Sequence, residues 1–194
     1  MAWYAVDGMD GSGKSTVAEI VAEALESRGR RVLVVAHPDR GTFLGRVSAR
    51  FLVSDSPVSA IGASLFYFLD MLQSVSSLKL RWRKYDDVLF VRYTMAVGYF
   101  PGKWSMKVNS FIRKILPFPD CAIFVDVDAA TAMERITDRG EELQIFESEE
   151  KLASTRESML SLCDGWIVLD NGGTVEELRE AVERVVSGSL AGGG

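Results

Sequence analysis

A glycine-rich segment near the start of the chain carries the clearest chemical signal, Gly8-Met9-Asp10-Gly11-Ser12-Gly13-Lys14-Ser15. Its spacing, G-x-x-x-x-G-K-[ST], is that of a phosphate-binding loop, in which backbone N–H groups surround the phosphates of a nucleotide. In this motif Lys14 reaches the terminal phosphates and the hydroxyl of Ser15 is a ligand for Mg²⁺. The segment therefore predicts a site for ATP with Mg²⁺ as cofactor.

Two flanking elements have the right character to hold such a loop. An apolar run, Ala2 to Val6, precedes it, and a helical pattern with an apolar stripe follows from Lys14 to Arg28, where Gly29 ends it. A strand, a glycine-rich turn and a helix together direct the positive end of the helix dipole at an anion. The next apolar run, Val32 to Ala36, completes a β-α-β unit.

Short apolar runs of this kind alternate with helical patterns along the whole chain. The predicted strands are Ala2–Val6, Val32–Ala36, Asp86–Val91, Ala122–Val127 and Trp166–Asp170. Strands that are apolar at almost every position are typical of a parallel sheet covered on both faces. We therefore predict one α/β domain over residues 1–188 with the P-loop NTPase fold, a five-stranded parallel sheet, a short lid at 140–146 and a frayed tail at 189–194.

Composition excludes several other classes of protein. The 194 residues carry a net charge of −5, which argues against nonspecific binding of nucleic acid. No stretch has the uninterrupted apolar length of a membrane span, and the start of the chain lacks the pattern of a secretory leader, so we expect a cytoplasmic protein. The two cysteines, Cys121 and Cys163, have no metal-ligand spacing and are expected to be thiols of the core.

Other candidate site residues lie where predicted strands end. Arg40 follows the second strand in the loop His37-Pro38-Asp39-Arg40-Gly41-Thr42, and Arg92 and Tyr93 follow the third. The carboxyl ends of parallel strands line one crevice, so these residues should face the phosphate loop. His37 is interpreted as a polar residue at a strand end rather than a catalytic group. A phosphate loop with further arginines favours a kinase that holds a second anionic substrate against ATP.

Two helical segments extend this prediction. Phe66, Tyr67 and Asp70 lie on a helix rich in aromatic residues, one of whose rings could stack on a base. Arg135 and Arg139 are four residues apart and share one face of another helix, beside the predicted lid.

These motifs resemble those of the thymidylate kinase family over nearly the whole chain. Their pattern is most similar to that of the archaeal members of this family. The resemblance is carried by Asp7 to Thr16, the loop from His37 to Thr42, the pair Arg92-Tyr93, Pro119-Asp120 before Val125 to Asp128, and Arg135 with Arg139-Gly140. It implies transfer of the ATP γ-phosphate to a nucleoside monophosphate, dTMP above all, and it is compatible with a homodimer.

The resemblance also implies roles for individual residues. Lys14, Arg92 and Asp10 would serve catalysis. ATP would be bound by Gly8, Asp10, Gly11, Ser12, Gly13, Lys14, Ser15, Thr16, Arg135 and Arg139. The acceptor would be bound by Asp10, Arg40, Phe66, Tyr67, Asp70, Arg92 and Tyr93, with the phosphate at Arg40 and Arg92, the sugar near Asp10 and the base on Phe66 or Tyr67.

Two departures from the family pattern leave alternatives open. Val91 stands where the family has an aspartate, with Asp7 and Asp126 as candidates to replace it, and Met71 stands where an arginine reads the thymine. The alternatives are a kinase for another nucleotide or a nucleoside, or a nucleotide-binding protein that has lost transfer. Phosphorylation of acceptors that lack a phosphate would indicate a nucleoside kinase. ATP binding without turnover would indicate a nucleotide-binding protein that has lost transfer.

Overall fold

The structure is a computed structural model that describes residues 1–52, 57–81, 83–99, 103–138 and 148–192. Its strands are β1 (Ala2–Asp7), β2 (Val32–Ala36), β3 (Asp87–Val91), β4 (Cys121–Asp126) and β5 (Ile167–Asp170). The helices are α1 (Lys14–Glu26), α2 (Phe43–Leu52), α3 (Pro57–Arg81), α4 (Lys103–Ile115), α5 (Ala129–Asp138), α6 (Glu149–Leu160) and α7 (Val175–Gly192), and a 3₁₀ turn spans Met95–Tyr99.

The five strands form one parallel sheet in the order β2-β3-β1-β4-β5. The first strand in the sequence is thus the central strand, paired with β3 on one side and with β4 on the other. The registers Val6↔Val91 and Asp7↔Phe124 bring the ends of these strands to the same edge. The predicted α/β fold is confirmed, and the phosphate loop lies at the centre of the carboxyl edge of the sheet.

The continuous apolar runs arise because both faces of the sheet are covered. Tyr4 and Val6 of β1 pack in one apolar cluster with α1 and α7, whereas Ala5 packs in a second cluster on the opposite face. Side chains that alternate along a strand point to opposite faces, so each strand contributes to both clusters. Burial of apolar area on both sides stabilises the sheet that carries the site.

Two helices extend further than the sequence predicts. The helical pattern of Ser59 to Val75 predicts an end near residue 75 for α3, but the helix continues to Arg81, and α7 continues past residue 188 to Gly192. Leu190 of α7 packs against the apolar cluster around Tyr4, and the Ser189 hydroxyl donates to the Tyr4 hydroxyl at 3.1 Å. These contacts hold the end of the helix against β1, where fraying had been predicted.

Three further predictions concern the cap of α7, the lid and membrane-spanning helices. The spacing Thr174-x-x-Glu177 predicts a capping box before α7. It is present, since the Thr174 N–H donates to Glu177 Oε2 and the Glu177 N–H to Thr174 Oγ1. The predicted lid at 140–146 and Arg139 lie outside the described residues. In the described part of the chain, none of the helices combines the length and the apolar character that crossing a membrane requires.

Candidate functional site

The phosphate loop connects β1 to α1 and is shaped by glycines in left-handed conformations. Gly11 has φ of +77°, and a Cβ at this position would collide with the backbone of Ala132 in α5. Gly13 has φ of +89° and directly precedes the first turn of α1. Glycine is required where the backbone has this conformation and a neighbouring segment comes this close. The loop is therefore held between the first helix and the segments after β4 and β5.

A buried group of charged side chains lies at this loop. The Arg92 guanidinium is paired with Asp10, and Lys14 Nζ is 3.5 Å from Asp10 Oδ1. The Tyr99 hydroxyl donates to Asp10 Oδ2 at 2.7 Å, and Lys14 Nζ also donates to the Met9 carbonyl at 2.6 Å. We call Asp10, Lys14, Arg92 and Tyr99 the Asp10 cluster. Tyr99 is a member that the sequence analysis did not identify.

Two cations share one carboxylate in the Asp10 cluster, and this determines its electrostatics. Burial alone would raise the pKa of Asp10, but Arg92 and Lys14 hold that pKa well below its usual range. Burial lowers the pKa of Lys14 to about 8, which the attraction of Asp10 only partly opposes, because Asp10 is also paired with Arg92. The three charged groups therefore keep one positive charge in excess at a phosphate-binding loop.

Arg92 has a backbone conformation that is uncommon for a residue with a Cβ. Its φ is +61°, in the left-handed region. The segment is held there by a bond from the Arg92 N–H to the Val6 carbonyl at 3.0 Å and by one from the Tyr67 hydroxyl to the Arg92 carbonyl at 2.5 Å. Its side chain stays 35% exposed. This conformation is imposed by the surrounding structure and accompanies the pairing of the guanidinium with Asp10.

Neither carboxylate that could replace the one missing at Val91 is free. Asp7 is buried and accepts hydrogen bonds from the N–H groups of Gly8 (3.1 Å), Tyr93 (2.8 Å) and Met95 (2.9 Å). Asp126 accepts two hydrogen bonds of 2.7 Å from Arg156 of α6. Both carboxylates stabilise the backbone or the packing around the loop, so the expectation that they replace the family aspartate is corrected.

Three polar side chains of α3 face the ends of β2 and β3. Tyr67, Asp70 and Ser74 are spaced by three and four residues, which places them on one face of the helix. Tyr67 contacts the Arg92 carbonyl as described, and Ser74 Oγ is 3.0 Å from His37 Nε2. Burial lowers the pKa of His37, which keeps the imidazole neutral at pH 7. We call these three residues the polar stripe of α3.

Asp70 of the polar stripe is fully buried and holds the loop that carries Arg40. Its Oδ2 accepts from the Asp39 N–H at 2.8 Å, and its Oδ1 accepts from the Thr42 hydroxyl at 2.5 Å. Both carboxylate oxygens of Asp70 are thus engaged by this loop, and its contact with the acceptor stays a prediction. Arg40 itself is exposed and lines a cavity of about 350 Å³ between β2 and α3.

Tyr93 and Met71, which the sequence analysis placed on the acceptor side, have buried side chains. The Tyr93 side chain is fully buried, stacks on Phe90 at a ring distance of 4.8 Å and donates its hydroxyl to the Pro117 carbonyl. Met71 is 1% exposed and belongs to the apolar core, so it does not occupy a base-reading position. Phe66 and Tyr67 are both partly exposed, which leaves these rings as the aromatic groups predicted to contact a base.

Arg135 lies on the other side of the loop, as a residue of the donor site should. Its guanidinium donates to the Asn171 carbonyl at 3.0 Å, next to the position where a Cβ of Gly13 would be. Asn171 is buried, and its side-chain amide donates to the Ser12 carbonyl at 2.7 Å. The sequence analysis interpreted Asn171-Gly172-Gly173 only as a turn. An amide residue directly after a strand at the crevice edge was the available signal.

The donor set suits Mg²⁺ held mainly by nucleotide phosphates. Ser15 and Thr16 are exposed in the first turn of α1, and a hydroxyl oxygen is a hard ligand of the kind that Mg²⁺ prefers. Within the residues that the structure describes, no group of three His, Cys, Asp or Glu side chains could hold a metal on its own.

Both cysteine thiols have pKa values raised by burial, to about 11 for Cys121 and about 12 for Cys163.

Comparison with known proteins agrees with this geometry. A family model for thymidylate kinases matches residues 6–182. Curated relatives include the probable thymidylate kinases of Archaeoglobus fulgidus, 28% identical, and Pyrobaculum calidifontis, 29% identical, and the thymidylate kinase of Thermosipho africanus, 26% identical. The alignments cover 96%, 97% and 97% of this chain and 95%, 97% and 98% of those proteins.

A solved structure shows the same fold. The thymidylate kinase from Candida albicans superposes with a TM-score of 0.75 at 17% sequence identity, over 97% of this chain and 92% of that one. The match to the family model extends from the end of β1 into α7 and so includes the phosphate loop, Arg92, Arg135 and Asn171. The chain belongs to the thymidylate kinase family.

Proposed function

We propose that this protein transfers the γ-phosphoryl group of ATP to dTMP, which yields dTDP and ADP, with Mg²⁺ as cofactor. One observation carries the proposal. The Asp10 cluster joins Lys14, the lysine of the phosphate loop, to Arg92, an arginine from the next strand of the sheet, through one carboxylate. This arrangement places an excess positive charge between the donor loop and a second potential phosphate site.

On the donor side the loop residues surround the phosphates of ATP. Gly8, Gly11, Ser12 and Gly13 supply backbone N–H groups, and Lys14 supplies its charge. The proposed contacts of the donor also include Ser15, Thr16, Arg135 and Arg139. The position of Arg135 beside Gly13 supports its part in this site.

On the acceptor side Arg92 is the proposed ligand of the dTMP phosphate. Its partly exposed guanidinium can donate two parallel hydrogen bonds to phosphate oxygens. Asp10 lies next to it, near the sugar, and Phe66 or Tyr67 contacts the base. Arg40 can join the phosphate only if its exposed side chain turns from the cavity beside β2. The Asp70 contacts to Asp39 and Thr42 limit the movement of its loop.

Transfer requires alignment and charge neutralisation more than covalent chemistry from the protein. An oxygen of the dTMP phosphate attacks the γ-phosphorus, and the bond from that phosphorus to the bridging oxygen of ADP breaks. Lys14 neutralises charge on the transferring group, and Arg92 holds the attacking phosphate against electrostatic repulsion. Bound Mg²⁺ supplies further neutralisation of the β- and γ-phosphates.

The experiment is ADP formation from MgATP with a panel of acceptors: dTMP, dUMP, dCMP, dAMP, dGMP and thymidine. We expect dTMP to stimulate ADP release most strongly. The Lys14→Met variant, which keeps an unbranched side chain one atom shorter and without the charge, is the control for contaminating kinases. The proposal would be refuted if none of the monophosphates stimulated ADP release above the background of hydrolysis. Stimulation by thymidine alone would indicate a nucleoside kinase.

We also propose a homodimer in the cytoplasm, where ATP is available. Large apolar side chains are exposed on α3, at Leu65 (55%) and Leu69, and on α4, at Trp104 (64%), Phe111 and Ile115. Apolar side chains at such spacing form surfaces that typically contact another protein chain. Sedimentation at micromolar concentration tests the proposal, with Leu69→Glu and Phe111→Glu expected to give monomers. A monomeric wild type would contradict it.

A further inference from the structure

The loop after β5 begins with Asn171, which is bonded to three separate parts of the donor side. Its N–H donates to the Asp126 carbonyl at the end of β4 (2.8 Å), and its Nδ2 donates to the Ser12 carbonyl (2.7 Å). Its own carbonyl accepts from Arg135 of α5 (3.0 Å). Asn171 is 8% exposed, so these bonds are shielded from water. No other role described above uses its side chain.

The bond to Ser12 has a consequence for the other end of the same peptide unit. The carbonyl of Ser12 and the N–H of Gly13 belong to one planar trans peptide, in which they point in opposite directions. An amide that holds the Ser12 carbonyl therefore turns the Gly13 N–H away from Asn171. Backbone N–H groups of this loop are the ligands for phosphate oxygens. The orientation of this peptide decides whether one of those ligands is available.

The absence of a side chain at Gly13 leaves room for the contact between Asn171 and the Ser12 carbonyl. A Cβ at Gly13 would collide with Nδ2 of Asn171, and it would lie 3.9 Å from Nη1 of Arg135. Glycine at this position thus provides the space that the amide occupies, in addition to allowing φ of +89°. Asn171 bonds to both the phosphate loop and Arg135, and so fixes their positions relative to each other.

We propose that Asn171 is a positioning residue of the donor site, whose amide orients the Ser12–Gly13 peptide toward the ATP phosphates and whose carbonyl orients Arg135. The proposal rests on the proposed function for its kinetic consequences but not for its effect on nucleotide binding. If Asn171 only anchored its loop, its replacement would lower the stability of the protein and would affect both substrates alike.

The test uses the full chain with Asn171→Ala and Asn171→Asp. The first removes the amide, and the second keeps its shape but places a carboxylate oxygen against the Ser12 carbonyl. Thr174→Ala is the matched control, because Thr174 lies in the same loop but its side chain bonds, among the described residues, to Glu177 of α7 and not to the phosphate loop. Affinity for MgADP is measured by calorimetry, KM for ATP and for dTMP by steady-state kinetics, and stability by thermal unfolding.

A buried carbonyl that loses its hydrogen bond predicts an affinity loss of about tenfold for MgADP in both Asn171 variants. We expect KM for ATP to rise by a similar factor, KM for dTMP to stay within about twofold of wild type, and Thr174→Ala to bind MgADP like wild type. MgADP affinity of a folded Asn171 variant within twofold of Thr174→Ala would overturn the proposal, as would equal changes in both KM values. If Asn171→Ala does not fold, the isosteric Asn171→Asp carries the comparison.

Failure of the proposed function gives a different result. A wild-type protein that binds MgADP but phosphorylates no acceptor would refute the kinase assignment. The MgADP affinities of the Asn171 variants would still decide the positioning role, because that measurement needs no acceptor.

Discussion

Binding of a nucleotide should be accompanied by uptake of a proton at Lys14. In the free protein burial lowers the pKa of Lys14 from 10.5 to about 8, so about half of the molecules carry a neutral lysine at pH 8. A phosphate group placed next to the Nζ atom favours the ammonium form and raises that pKa. The expected uptake per MgADP is therefore about a tenth of a proton at pH 7, about half at pH 8 and about nine-tenths at pH 9.

Calorimetry in buffers of different ionisation enthalpy, such as HEPES and Tris, measures this uptake, since the observed enthalpy varies with the enthalpy of the buffer in proportion to the protons exchanged. The phosphates of the nucleotide lose their last protons near pH 6, so their own contribution becomes smaller as the pH rises. Growth of proton uptake from pH 7 to 9 therefore identifies Lys14. A slope of zero at pH 8, or one that decreases with pH, would refute the lowered pKa of Lys14 in the Asp10 cluster.

Lys14→Met should abolish transfer yet raise the free energy of unfolding at pH 7 by about 1–3 kcal/mol, since the shift from 10.5 to about 8 is a cost of about 3 kcal/mol. The folded protein loses this proton at lower pH than the unfolded chain, so the difference should close between pH 8 and 10.5, as urea unfolding would show. Arg92→Ala should raise KM for dTMP by at least tenfold with little change in KM for ATP, and the reverse pattern would contradict its acceptor role. Asp70→Ala should lower stability by about 1–3 kcal/mol, because it leaves the half-buried Asp39 N–H unpaired, and should raise KM for dTMP; an unchanged melting temperature would argue against the contact.

The strands and the phosphate loop could be predicted from the sequence because their signals are local. The apolar run Val32 to Ala36 and the glycines between Gly8 and Gly13 depend on neighbours a few residues away. The pairing order of the sheet is not contained in these local signals, and the structure supplies it.

The orientation of α3 could not be predicted in the same way. Apolar residues occur on several sides of this helix, with Leu65 and Leu69 exposed and Met71 buried, so its periodicity does not decide which side faces the sheet. The inward side carries the polar stripe, which is stable there because each polar group is bonded to a loop. The family resemblance implied a contact of Asp70 with the acceptor and gave no sign of its contacts with the loop that carries Arg40.

Asn171 and Tyr99 were missed because their partners lie far away in the sequence. The Asn171 amide bonds to Ser12 across 159 positions and the Tyr99 hydroxyl to Asp10 across 89. Neither residue belongs to a motif with fixed spacing, and their contacts depend on how β5 and the 3₁₀ turn pack around the loop. The tertiary structure shows the partners of both residues, whereas the sequence offered at most the place of Asn171 at the end of a strand.

The central position of β1 has a consequence for synthesis of the chain. β1 leaves the ribosome first, but its neighbours in the sheet begin only at Asp87 and Cys121. Until β3 and β4 have emerged, the apolar strand that carries the phosphate loop has no partner on either side, and long-range parallel pairing of this kind forms slowly. Nascent chains that end before β4 therefore expose an unpaired apolar strand and lack the assembled nucleotide site, which makes them prone to aggregation.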